Sequence, residues 1–133
     1  MKVTLLADIH GNLAALKAVL HHAKGQGAIR TILNLGDSVG YGANPETVVK
    51  WVRGAQFINI LGNYDKKVLS KKHRQANWSR VKSPEKRAMF AWTYHSLSKG
   101  SRNYLKSLPK SRTIHLEGLE LLIYLMKDVL EPN

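Results

Sequence analysis

The chain of 133 residues has no cysteine, which excludes disulfides, thiolate zinc sites and cysteine nucleophiles and leaves any metal to nitrogen and oxygen donors. Long apolar runs are missing as well. Residues 3–7 stop at Asp8, and residues 119–126 fall far short of the roughly 20 that cross a bilayer. Neither run is a signal-peptide core or a membrane span, so a cytoplasmic location is expected. Acidic residues are scarce: nine against 21 Lys and Arg, for a net charge of +12. The excess is local, with +2 over residues 1–65, +13 over 66–112 and −3 over 113–133. Segment 66–112 is therefore either a solvated lysine-rich surface or a patch for nucleic acid or another polyanion, since neutralising phosphates releases condensed counterions.

Apolar residues make up 44% of the chain, the balance of a folded domain. Residues 2–7 are rich in β-formers, and the run 3–7 reads as a buried strand. Asn12 then offers an N-cap to a helix with Leu13, Leu16, Val19 and Leu20 on one face, and Gly25 and Gly27 close it. Residues 29–35 form a second apolar run entering the glycine-rich loop 36–44, Pro45 opens a helix carrying Val48, Val49, Trp51 and Val52, and residues 57–61 form a third run before Gly62. The start thus reads β-α-β-α-β, an α/β chain with a mostly parallel sheet whose strand carboxyl ends share one edge. A helical middle segment follows, with stretches at 84–97 and 101–108 and with Trp92, Tyr94 and Tyr104 as packing anchors. Glu117-Gly118 joins the last two strands as a hairpin.

Each of the three early strands ends in short polar residues. The first gives Asp8-Ile9-His10-Gly11-Asn12, the second Gly36-Asp37, and the third Gly62-Asn63-Tyr64-Asp65. Residues two apart on extended backbone project to one side, so Asp8 and His10 can grip one ion. Three ligand clusters at the edge where open α/β sheets bind their ligands converge on a metal site. Two cations about 3.5–4 Å apart need a bridging carboxylate, and Asp37 is central in the series. Mixed carboxylate, imidazole and amide donors suit manganese, iron, nickel or zinc. Loop 36–42 lacks the Gly-Lys-Ser/Thr ending of a phosphate-cradling P-loop and reads as a turn near the metals. His21, His22, His73, His95 and His115 fall outside these motifs, and Trp51, Trp78 and Trp92 read as packing residues.

In order and interval, Asp8-x-His10, Gly36-Asp37 and Gly62-Asn63-x-Asp65 resemble the first three motifs of the calcineurin-like metallophosphoesterase superfamily. Residues 7–13 and 36–42 are similar in particular to its small bacterial and archaeal phosphodiesterase branch. The resemblance implies a four-layer αββα sandwich, here in part, and hydrolysis of phosphate mono- or diesters by a metal-bridging hydroxide. Asp8 and His10 would bind the first ion, Asp37 would bridge, and Asn63 would bind the second. Asp37, Asn63, Tyr64 and Asp65 make up the expected catalytic set, Asp65 in support of its loop. Tyr64 stands where the family commonly has a histidine that steadies the leaving oxygen.

The family's later His-Gly and Gly-His-x-His segments have no counterpart, since no histidine follows His115. Residues 1–133 are accordingly expected to be a single, incomplete domain, truncated relative to the family. It would hold one ion tightly where the complete site holds two, with self-association through an exposed sheet edge. The rival expectation is a non-catalytic module that uses segment 66–112 to hold nucleic acid or a protein partner.

Overall fold

A computed structural model describes residues 1–70 and 83–125. The first half follows the expected alternation: β1 (Thr4–Leu6), α1 (Leu13–Gly25), β2 (Ile32–Asn34), α2 (Pro45–Val52) and β3 (Phe57–Asn59). Then come α3 (Asn63–Leu69), α4 (Pro84–Ser96), α5 (Lys99–Ser107) and the strands β4 (Ser111–Leu116) and β5 (Leu119–Tyr124). β1, β2 and β3 form a parallel sheet in that order, and β4 and β5 an antiparallel hairpin. Local chemistry starts the helices where it should. The Asn12 side chain accepts the Ala15 N–H at 3.0 Å, Pro45 occupies the first turn of α2, and the Ser83 hydroxyl accepts the Lys86 N–H.

Side chains leave a strand alternately to either face, and β2 is buried on both. On one face Ile32 packs with Leu16 and Leu20 of α1 and Val48 and Val52 of α2. On the other, Leu33 packs with Ile60 and with Ile114 and Ile123 of the hairpin. The layers therefore run helices, sheet, hairpin. A third cluster joins Val49 of α2 and Val68 of α3 to Phe90, Tyr94 and Leu105 of the later helices, and Val39 from the loop after β2 belongs to it. The middle segment thus braces the strand ends from the side.

Some expectations need correction. Residues 3–7 do not form a strand buried throughout: Leu5 is 60% exposed, because β1 lies at the edge of the sheet and the hairpin cluster stops at its neighbour Leu33. Trp92 and Trp51 point outward, and the packing falls to Phe90 and Tyr94. Trp78, His73 and part of the basic segment lie outside the described residues. Among those described, no helix is long and apolar enough to cross a membrane.

The apolar runs also contain two fully buried asparagines, paired in register on neighbouring strands. Asn34 donates from Nδ2 to Asn59 Oδ1 at 2.8 Å and to Ser38 Oγ at 2.9 Å. Asn59 donates in turn to Val52 O and to the Tyr104 hydroxyl, each at 2.7 Å. This chain of bonds ties the two strands to α2, to α5 and to the loop that carries Asp37. Cutting it strands buried acceptors, so Asn34→Ala is expected to lower the unfolding free energy by about 2–3 kcal/mol. Urea denaturation with an unchanged slope would show it; a midpoint equal to that of the parent protein would deny the network any stabilising part.

Candidate metal centre

The loops beyond the strand ends are fastened to one another by backbone hydrogen bonds. Asp8 N–H donates to Gly36 O, His10 N–H to Asp37 O, Gly11 N–H to Ser38 O, and Gly42 N–H to His10 O. Such a tight seam forces unusual backbone. Asp8, His10 and Asp37 have φ of 58°, 49° and 56°, in the left-handed region that most residues avoid. The third loop presses in as closely: a Cβ on Gly36 would lie 2.7 Å from the Gly62 Cα.

Packed this way, Asp8, His10 and Asp37 offer ligand atoms that all lie within 4.8 Å of one another. His10 Nδ1 is 3.2 Å from Val39 O, a carbonyl that can only accept, so Nδ1 carries the proton and Nε2 is turned to the carboxylates. Nε2 stands 3.9 Å from Asp8 Oδ1 and 4.0 Å from Asp37 Oδ2. A cation with bonds of about 2.1 Å needs donors roughly 3–4 Å apart, and the two separations from His10 Nε2 fall at the upper end of that range. Asp37 Oδ1 accepts the Tyr64 N–H at 2.9 Å. Burial raises the Asp37 carboxyl above its ordinary range; the Tyr64 N–H and His10 pull it down, and Asp8 pushes it up again. A cation here would relieve that burial cost.

Asp65 lies beneath, 0% exposed. Its Oδ1 accepts the Val39 N–H at 3.1 Å and its Oδ2 the Gly62 N–H at 2.9 Å. The carboxylate thereby clamps the second loop to the third. Burial pushes its pKa up to about 6, against the two N–H donors, with Asp37 adding to the rise. Asn63 opens α3 directly after Gly62. Tyr64 packs edge-on against His10, with ring centroids 5.1 Å apart, and against Phe90 of α4 at 5.4 Å. Its phenol is pushed up to about 12, first by burial, then by the hydrogen bond and charge of Tyr41 and by the charge of Asp37.

The sequence-expected residues thus separate by place. Asp8, His10 and Asp37 converge, Tyr64 borders them, Asp65 holds the loops from below, and Asn63 begins the helix alongside. Sequence reasoning missed Asn34, Asn59 and Tyr41. Two asparagines at matching places in successive apolar runs were the available signal for the first pair.

Comparison with known proteins bears on the family and the fold. An uncharacterized protein of Methanocaldococcus jannaschii is 46% identical over 69 residues, which are 52% of this chain and 28% of that protein. The crystal structure of a metallophosphoesterase from Sphaerobacter thermophilus matches with a TM-score of 0.66 and 34% identity, over 84% of this chain and 42% of that one. A hypothetical protein of Pyrococcus horikoshii OT3, at 24% identity, shares the fold with a TM-score of 0.74, over 90% of this chain and 52% of its own. The matched parts are about half or less of each relative's length. The model of the calcineurin-like phosphoesterase family matches residues 1–125, and the chain belongs to that family.

Proposed function

We propose that this chain takes part in hydrolysing phosphate mono- or diesters, with Asp8, His10, Asp37 and Asn63 as the residues that would hold divalent cations. The observation that carries the reading is the convergence of Asp8, His10 and Asp37 donor atoms within 4.8 Å at the carboxyl edge of a parallel sheet. When bound, such cations supply Lewis acidity toward phosphoryl oxygen and lower the pKa of water.

The protein's own part is positional. Val39 O fixes the tautomer and tilt of His10, and the Tyr64 N–H holds one oxygen of Asp37 while the other faces His10. Asp65 keeps the second and third loops in register. Tyr64, its phenol raised to about 12, stays protonated at neutral pH and serves as a hydrogen-bond donor to phosphate oxygen, not as an acid.

The test is a manganese titration of the purified chain with parallel assay of bis(p-nitrophenyl) phosphate. Three clustered donors are expected to hold about one ion per chain tightly, with hydrolysis that requires manganese and disappears in excess chelator. Hydrolysis indifferent to chelator, or no manganese bound at millimolar concentration, would sink the proposal.

A further inference from the structure

The loop after β2 carries a second tyrosine that the metal cluster does not use. Tyr41 sits between Gly40 and Gly42 with φ of 67°, left-handed backbone that disfavours a bulky residue, and it is 52% exposed. The neighbouring seam holds it there: Gly42 N–H donates to His10 O at 2.6 Å, and a Cβ on Gly42 would collide with that same carbonyl oxygen. Three rings result, with Tyr41 5.5 Å from His10 and 5.2 Å from Tyr64, each edge-on. The two phenol oxygens are 2.8 Å apart. An exposed aromatic side chain in costly backbone, hydrogen-bonded among the described residues only to the tyrosine beside the candidate metal donors, calls for a purpose other than filling the core.

Counting protons shows what the pair can do. Two hydroxyls hold two protons, and their mutual hydrogen bond uses one. Whichever oxygen donates, one O–H remains to point at something else, strengthened by the bond behind it. The cation of Lys67 stands 5.3 Å from the centre of the Tyr64 ring and the negative charge of Asp37 also reaches the phenol, so an anionic acceptor here depends on the cations that Asp8, His10 and Asp37 would hold.

We propose that Tyr41 and Tyr64 form a single hydroxyl pair that donates a hydrogen bond to a phosphate oxygen of the ligand, Tyr41 being the positioning residue that aims Tyr64. The inference rests on the functional reading above for the place of the phosphate. It adds a residue, Tyr41, and a binding role that is measurable without turnover.

The experiment uses manganese-loaded protein and titrates inorganic phosphate by calorimetry in four forms: parent, Tyr41→Phe, Tyr64→Phe and the double variant. Each single change is expected to weaken phosphate about tenfold. The double variant should match Tyr64→Phe instead of reaching about a hundredfold, because a pair acting as a unit is lost once. Manganese affinity, measured alongside, should stay within about twofold, which a merely structural Tyr41 would not permit once its loop shifted. Unchanged phosphate affinity in Tyr41→Phe, or strictly multiplicative losses in the double variant, would overturn the pair. Phosphate binding that follows this pattern in a protein without manganese-dependent hydrolysis would uphold the pair and reject the enzymatic reading.

Discussion

Asp37→Asn is expected to lower bound manganese by a factor of about 100 or more and to remove measurable phosphodiester hydrolysis, while leaving the fold at least as stable as before. The two effects have separate causes. Metal binding loses a carboxylate whose Oδ2 faces His10 Nε2 at 4.0 Å. The fold loses a charge that burial disfavours, and an asparagine oxygen can still accept the Tyr64 N–H. Asp65→Asn should do the reverse. It turns an amide NH2 toward a backbone N–H that now finds a carboxylate oxygen, costing about 2 kcal/mol of stability, and disturbs the metal only through the loops. Metal analysis and thermal unfolding of both variants decide the matter. Equal metal loss in the two would refute a bridging role for Asp37.

Gly62→Ala is the second change with a large expected effect, and its cause is purely one of space. Gly62 has φ −88° and ψ 172°, which any residue adopts, yet a Cβ there would collide with the backbone nitrogen and carboxylate of Asp37. Backbone atoms locked in the loop seam cannot step aside. The expected outcome is a loss of about 3 kcal/mol or more, together with manganese binding. Gly25→Ala is the matched control: nothing lies within 4 Å of the added methyl, and the residue is helical, so a gain of up to about 1 kcal/mol is expected. Urea unfolding of both variants is the measurement. A Gly62→Ala protein of parental stability would mean that the loops do not approach as closely as described.

Much of this architecture is legible in the residues because it is dictated locally. Asn12 and Pro45 mark helix starts, Glu117 and Gly118 supply the two positive φ angles of the hairpin turn, and the apolar runs mark the strands. The cluster of candidate donors is legible in part, since polar residues follow each apolar run, but Asp8 and His10 meet through left-handed backbone and not through the extended spacing read from the sequence. What escaped depends on partners distant in sequence. No helix is marked over residues 63–69 in the sequence, where Gly62 has no capping side chain, yet α3 begins there because the Asp65 carboxylate reaches back to the Gly62 N–H. Asn34 and Asn59 look like blemishes in apolar runs until the strands are placed side by side. Leu5 reads as buried until it is known that the hairpin cluster covers β2 and not β1.

The left-handed backbone at Asp8, His10 and Asp37 sets stability against the proposed ligation at the same positions. Each such residue costs the folded chain roughly 1 kcal/mol, which a glycine would avoid. A search for thermostable variants that scores folding alone would therefore meet least resistance to glycine at the exposed Asp8, whereas at His10 and Asp37 the bonds to Val39 O and from the Tyr64 N–H oppose it, and each glycine would delete a candidate donor atom. If these loops hold an ion as proposed, selection for heat resistance and selection for ion binding pull them in opposite directions at Asp8, and a screen must read both.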